Sequence, residues 1–242
     1  IPNIDEHIKA TTSGNFHLED QESDGIEIGL LYQNDQIDIN ASYYNMDTKN
    51  EIQYNQSVNT NLDPIERQGI NIDLDYKIDE KQKIMSSFNF TEAEFTSGTL
   101  TPGSGGAGAC NYDNTTYCSN SSTWQNLMGG GTSYSLAGKS VPLISPITYS
   151  INYVNKFRSD MTFNLGIKYN DEKYVSNDQE NIEPKIPDYY LINTSLSSNN
   201  GPYVYKVGIN NLTNERIYDF AISSTFHDDA HYGLSNVYPL PE

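Results

Sequence analysis

The apolar residues of this chain recur at every second position in eight separate stretches. In "GINIDLDYKI" (69–78), Ile70, Ile72, Leu74, Tyr76 and Ile78 alternate with Asn71, Asp73, Asp75 and Lys77. A period of two predicts a strand with one apolar and one polar face. The same rhythm predicts strands over 24–33, 36–48, 66–78, 83–95, 144–157, 160–174, 187–198 and 203–212. No stretch sustains a helical period of 3.6, so the chain reads as all-β.

The spacing of these strands is itself ordered. Asn34–Asp35, Asp79–Gln82, Arg158–Ser159 and "NNGP" form short turns, whereas 49–65, 96–143, 175–186 and 213–238 are long connections. Short and long alternate strictly, which in an antiparallel meander places all tight turns at one end and all long loops at the other. Soluble sandwiches have no reason to segregate loops in this way, whereas outer-membrane barrels pair short periplasmic turns with long outer loops.

The faces agree with that architecture. One face would carry Ile26, Ile28, Leu30 and Tyr32, then Ile70, Ile72, Leu74 and Tyr76, with Tyr repeatedly at a strand end. The other would carry Glu27, Asp38, Asn40, Asn71, Asp73, Asp75, Thr162, Asn164 and Lys168. An apolar band edged by aromatic girdles and backed by a polar interior suits a barrel in lipid. A β-sandwich whose apolar face meets a second sheet is the soluble alternative.

Composition removes several function classes. The 32 acidic and 14 basic residues give a formal charge of −18, which argues against a nucleic-acid partner because phosphate binding needs a basic face. Nineteen Tyr and eight Phe argue against disorder. No apolar run reaches the ~18–20 residues of a spanning helix, a limit that does not apply to barrel strands. The opening "IPNIDEHI" carries neither Met nor a signal peptide and reads as an internal piece of a longer protein.

Candidate chemistry is sparse and sits in the long connections. Cys110 and Cys118 lie in a polar stretch, where they suggest a local disulfide in an oxidising compartment or else a pair of free thiols. No second Cys or His pair lies near enough to complete a zinc site. Tyr112, Tyr117, Trp124 and Tyr134 lie in the 96–143 connection, where they either contact a ligand or pack the loop on itself. "HDDAHYG" gathers His227, Asp228, Asp229 and His231, a set with metal-binding chemistry that also suits a solvated acidic loop. No nucleophile elbow, phosphate loop or zinc-protease motif occurs, so no enzymatic activity and no cofactor are expected.

With these patterns in view, the chain resembles the C-terminal part of a TonB-dependent outer-membrane receptor barrel. "EDQESDGIEIGLLY" (19–32) is similar to the family's Pro-Glu-x-Ser/Thr-x-x-Tyr-Glu-Leu-Gly strand, with Glu27 and Gly29 in place. "ERQGINIDLDY" (66–76) resembles its Arg-x-Gly-Ile/Val-Glu-Leu strand, with Asn71 at the usual Glu. "PDYYLINTSLS" (187–197) and "VGINNLTNERIYDFA" (207–221) resemble later strands, and "YPLPE" (238–242) the lead-in to the last one. The resemblance implies a transmembrane β-barrel of 22 strands, of which residues 1–242 would supply eight and the start of a ninth. The plug domain, the earlier strands and the closing strand would lie elsewhere. It further implies TonB-driven uptake of a scarce nutrient, such as a siderophore, haem, cobalamin or oligosaccharide, across a Gram-negative outer membrane. The partners would be the TonB complex, a small nutrient ligand and outer-membrane lipid. A passive porin-type channel, or a surface β-sandwich module or adhesin, is the other reading of the same pattern.

Overall fold

A computed structural model describes residues 18–55, 58–100, 134–176, 178–181, 183–222 and 236–239. In chain order the strands are β1 (Glu22–Gln33), β2 (Ile37–Lys49), β3 (Ile52–Asn55), β4 (Val58–Asn61), β5 (Ile65–Lys77), β6 (Gln82–Phe95) and β7 (Thr99–Leu100). They continue with β8 (Tyr134–Ser135), β9 (Ile147–Asn155), β10 (Met161–Asn170), β11 (Tyr189–Asn200), β12 (Tyr203–Ile209), β13 (Tyr218–Ile222) and β14 (Asn236–Pro239). Eight of them form one antiparallel sheet in the order β1-β2-β5-β6-β9-β10-β11-β12, and the other six form three small hairpins. No helix occurs among the described residues.

All eight expected strands are present, and their register sorts the side chains as the alternation requires. Directly paired residues of neighbouring strands share a face. One continuous row runs Leu30–Ala41–Ile72–Phe88–Tyr149–Tyr169–Tyr190 across seven strands. The opposite face carries Asn40–Asp73–Ser87–Ser150–Lys168, one residue out of phase. Within that polar face Tyr44, Gly69 and Thr91 are in register. The Tyr44 ring lies across Gly69, where an added Cβ would come within 2.8 Å of it. Its hydroxyl reaches Thr91 Oγ1 at 2.9 Å.

The tight connections lie together at one end of the sheet. Asn34 holds the first by accepting from the amides of Gln36 and Ile37 at 2.8 and 2.7 Å. Asp79 holds the second in the same way, through the amides of Lys81 and Gln82, both at 2.7 Å. These contacts keep the Asp79 carboxyl below its ordinary pKa, the Lys81 amide contributing most. Such side-chain-to-backbone turns are the reason Asn and Asp favour these positions.

Three strand ends fall three or more residues inside the expected bounds. β9 starts at Ile147 instead of 144, because Pro146 has no amide to give to a ladder. β10 ends at Asn170, four residues before the expected end, and just beyond it the Asp171 side chain accepts from the Glu172 amide at 2.9 Å. β12 ends at Ile209 because the backbone of Asn211 is left-handed (φ 51°) and its side chain captures Glu215, accepting from its amide at 2.8 Å and donating to its carbonyl at 2.9 Å. The hairpins β3–β4, β7–β8 and β13–β14 fall within connections that the pattern leaves as loops.

Burial is inverted relative to a soluble domain. The apolar face is exposed even in mid-sheet, where Ile70 is 41 % accessible, Ile72 38 % and Ile151 39 %. The buried apolar residues gather instead at the long-loop end. One cluster joins Leu62, Ile65, Ala93, Phe95, Leu136 and Val141; a second joins Val175, Ile186 and Ala221, with Leu143 and Tyr218 packed against it. A large contiguous apolar face left uncovered marks a surface for lipid or partner.

Candidate functional site

An open concavity of about 430 Å³ lies on the polar face of the sheet, lined among others by Asp38, Asn40, Asp73, Asp75, Ser87, Ser150 and Asn152. Asp38 stands directly opposite Asp75, and Asn40 opposite Asp73. Gln33 donates to Asp38 at 3.1 Å. Alternation alone puts these carboxylates on one side, and the register brings them together. Their chemistry is that of a negatively charged, polar wall.

Above this wall the bases of the long connections form a packed platform. Segment 139–141 continues the outer end of β6: the Phe95 amide donates to the Lys139 carbonyl and the Val141 amide to the Ala93 carbonyl, both at 2.9 Å. The β10–β11 connection packs beside it. Asn181 accepts from the Ser140 amide at 2.7 Å and donates to the Ser140 carbonyl at 2.9 Å. Lys173 meets Asp219 at 2.9 Å, and Lys185 meets Glu172 at 2.7 Å. Near β5, Arg67 pairs with Glu51 at 2.5 Å.

Asp178, Glu180 and Glu183 are all buried in this platform. The Asp178 carboxylate accepts from the Glu183 amide at 3.1 Å. Burial raises the Glu180 pKa above the ordinary glutamate value, and the charges of Asp178 and Glu183 add to this, with Lys139 opposing. Because the folded pKa lies above the unfolded one, ionised Glu180 opposes folding of its segment at neutral pH. That cost is relieved as pH falls through the raised pKa and is gone below the ordinary value. Glu180→Gln should therefore flatten the acid-side rise in protection. Amide exchange of the β10–β11 connection, corrected for intrinsic rates, checks this; slopes equal in variant and parent would refute it.

Over residues 2–212 the chain matches the family described as TonB dependent receptor-like, beta-barrel. The chain belongs to this family. The eight-stranded antiparallel sheet is thus a piece of transmembrane barrel wall. Solved structures of similar fold include the ferric-catecholate import receptor Fiu from E. coli K12, at 14 % identity over 96 % of this chain and 28 % of that one, TM-score 0.61. The siderophore receptor PiuA from Acinetobacter baumannii is similar at 15 % identity over 90 % of this chain and 26 % of that one, TM-score 0.60. The copper transporter OprC is similar at 12 % identity over 99 % of this chain and 33 % of that one, TM-score 0.63. The chain therefore spans about a quarter to a third of the length of these barrels. No curated protein sequence matches it.

Of the candidate residues named from sequence, Tyr134 alone lies among the described residues. Tyr134 opens β8, where its backbone pairs with Leu100. Cys110, Tyr112, Tyr117, Cys118 and Trp124, with His227, Asp228, Asp229 and His231, lie outside the described residues. Sequence reasoning missed the platform: Asn181, Lys173 and Asp219 act across three connections. The available signal was the apolar pair Val175 and Ile186 bracketing a mostly polar loop.

Proposed function

We propose that this chain forms part of the wall and outer loops of a receptor that actively imports a scarce nutrient across a Gram-negative outer membrane. The observation that carries this reading is the inverted burial: strand centres are apolar and uncovered, while the packed cores lie at the bases of the long loops. In this reading the loops capture the ligand, the wall surrounds a plug supplied by the rest of the polypeptide, and TonB remodels that plug. Siderophore chelates or metal ions are favoured as ligands because, among proteins of similar fold, Fiu is a ferric-catecholate import receptor, PiuA a siderophore receptor and OprC a copper transporter. Tyr112, Tyr117, Trp124 and Tyr134 supply aromatic contacts, and His227, Asp228, Asp229 and His231 supply polar ones. Cys110 and Cys118 bond to brace the 96–143 loop.

The test uses the full-length receptor in cells starved of iron. Uptake of a labelled ferric catecholate should be saturable and should stop when the proton-motive force is collapsed. Uptake that survives the collapse would point to a passive channel. A protein that extracts without detergent and shows no heat-modifiable migration would instead be a soluble β module, against this proposal.

A further inference from the structure

Three distant parts of the sequence meet at the second hydrophobic cluster. Leu143 comes from the connection before β9, Val175 and Ile186 from the β10–β11 connection, and Ala221 (0 % exposed) from β13. The β10–β11 connection is bonded to both neighbours. Toward the first, the Leu143 amide donates to the Tyr174 carbonyl at 2.9 Å, and the Asn181 amide group clasps both backbone groups of Ser140. Toward the second, the Ser176 amide donates to the Ala221 carbonyl at 2.8 Å, and Lys173 pairs with Asp219. Among the described residues, no backbone hydrogen bond joins the 136–146 and 216–222 segments to each other.

We infer that the β10–β11 connection is a keystone coupling the bases of the 96–143 and 213–238 loops, with Asn181 as its positioning residue. Asn181 holds a left-handed backbone (φ 57°), which Asn tolerates better than most residues. Its side chain supplies one acceptor and one donor to Ser140, as a paired strand would. Ser140 in turn faces Glu94 across an isolated bridge to β6, so the keystone is anchored to the wall. A disturbance at either loop base then has a hydrogen-bonded route through this connection to the other, and coupling of this kind is reciprocal. That these loops capture ligand rests on the function proposed above; the coupling itself does not.

The test is amide exchange on the full-length receptor in detergent. Asn181→Gly keeps the left-handed backbone free of strain but removes the clasp, and should speed exchange in 139–143 on the order of tenfold, the scale of one or two hydrogen bonds. The distinguishing result is at the far side, where 216–222 should also exchange faster. Lys173→Met, made at the other end, should loosen 139–143 as well as 216–222. Asn181→Asp, which keeps the acceptor and loses the donor, should fall between parent and Asn181→Gly. Effects confined to the mutated side would overturn the coupling. So would equal acceleration of the wall peptides 70–76 and 84–90, which would mean general loosening. The exchange experiment needs no ligand, so failed uptake with intact coupling would remove the transport reading alone.

Discussion

Ile72→Arg in the full-length receptor should impair barrel assembly, while the adjacent Asp73→Asn should leave it nearly unchanged. Ile72 sits in the middle of β5, between Ala41 and Phe88 on the lipid side. A guanidinium near the bilayer midplane costs ~2–4 kcal/mol on a barrel's outer surface. Asp73 points the other way, between Asn40 and Ser87 in the luminal concavity. Removing its charge leaves a polar side chain in a wet place and eases repulsion from Asp38 and Asp75 nearby. Heat-modifiable migration and urea unfolding in lipid would read the difference. If both variants behaved like the parent, or Asp73→Asn were the damaging one, the assignment of faces would be wrong.

Much of the wall was legible because lipid and water impose the shortest period a sequence can show. A slip of one residue would turn Ile70, Ile72 and Leu74 into the lumen, so the pattern specifies register as well as strand. The same simplicity explains the errors. The expected strands extend to 174 and 212, but the chain leaves the sheet at Asn170 and Ile209, where the Asp171 and Asn211 side chains capture nearby backbone amides. No period announces Asn211 or Asn181 as a pivot. The platform was illegible for a related reason: Leu143, Val175 and Ala221 become neighbours only after the strands have paired. The outer-loop aromatics and the His227–His231 group were visible as chemistry, yet their contacts depend on loop conformations that composition does not encode.

The two hydrophobic regimes make a second expectation, opposite in kind to the first. Phe95→Ala should damage the outer platform while sparing the wall. Phe95 is only 1 % exposed and directly faces Ile65, with Leu62, Ala93, Leu136 and Val141 in the same cluster. Truncating a buried Phe to Ala typically costs ~3–5 kcal/mol, because the cavity relaxes only in part. Here that loss falls on a small satellite core outside the bilayer, whereas the wall's strand pairing and lipid contacts remain. Exchange or limited proteolysis should accelerate at 62–65 and 136–141, with 70–76 still protected and heat-modifiable migration retained. Loss of that migration would mean that the platform and the wall fold as one unit. Unchanged exchange at 136–141 would mean that Phe95 does not hold the loop base, and the role of this cluster in presenting the outer loops would fall with it.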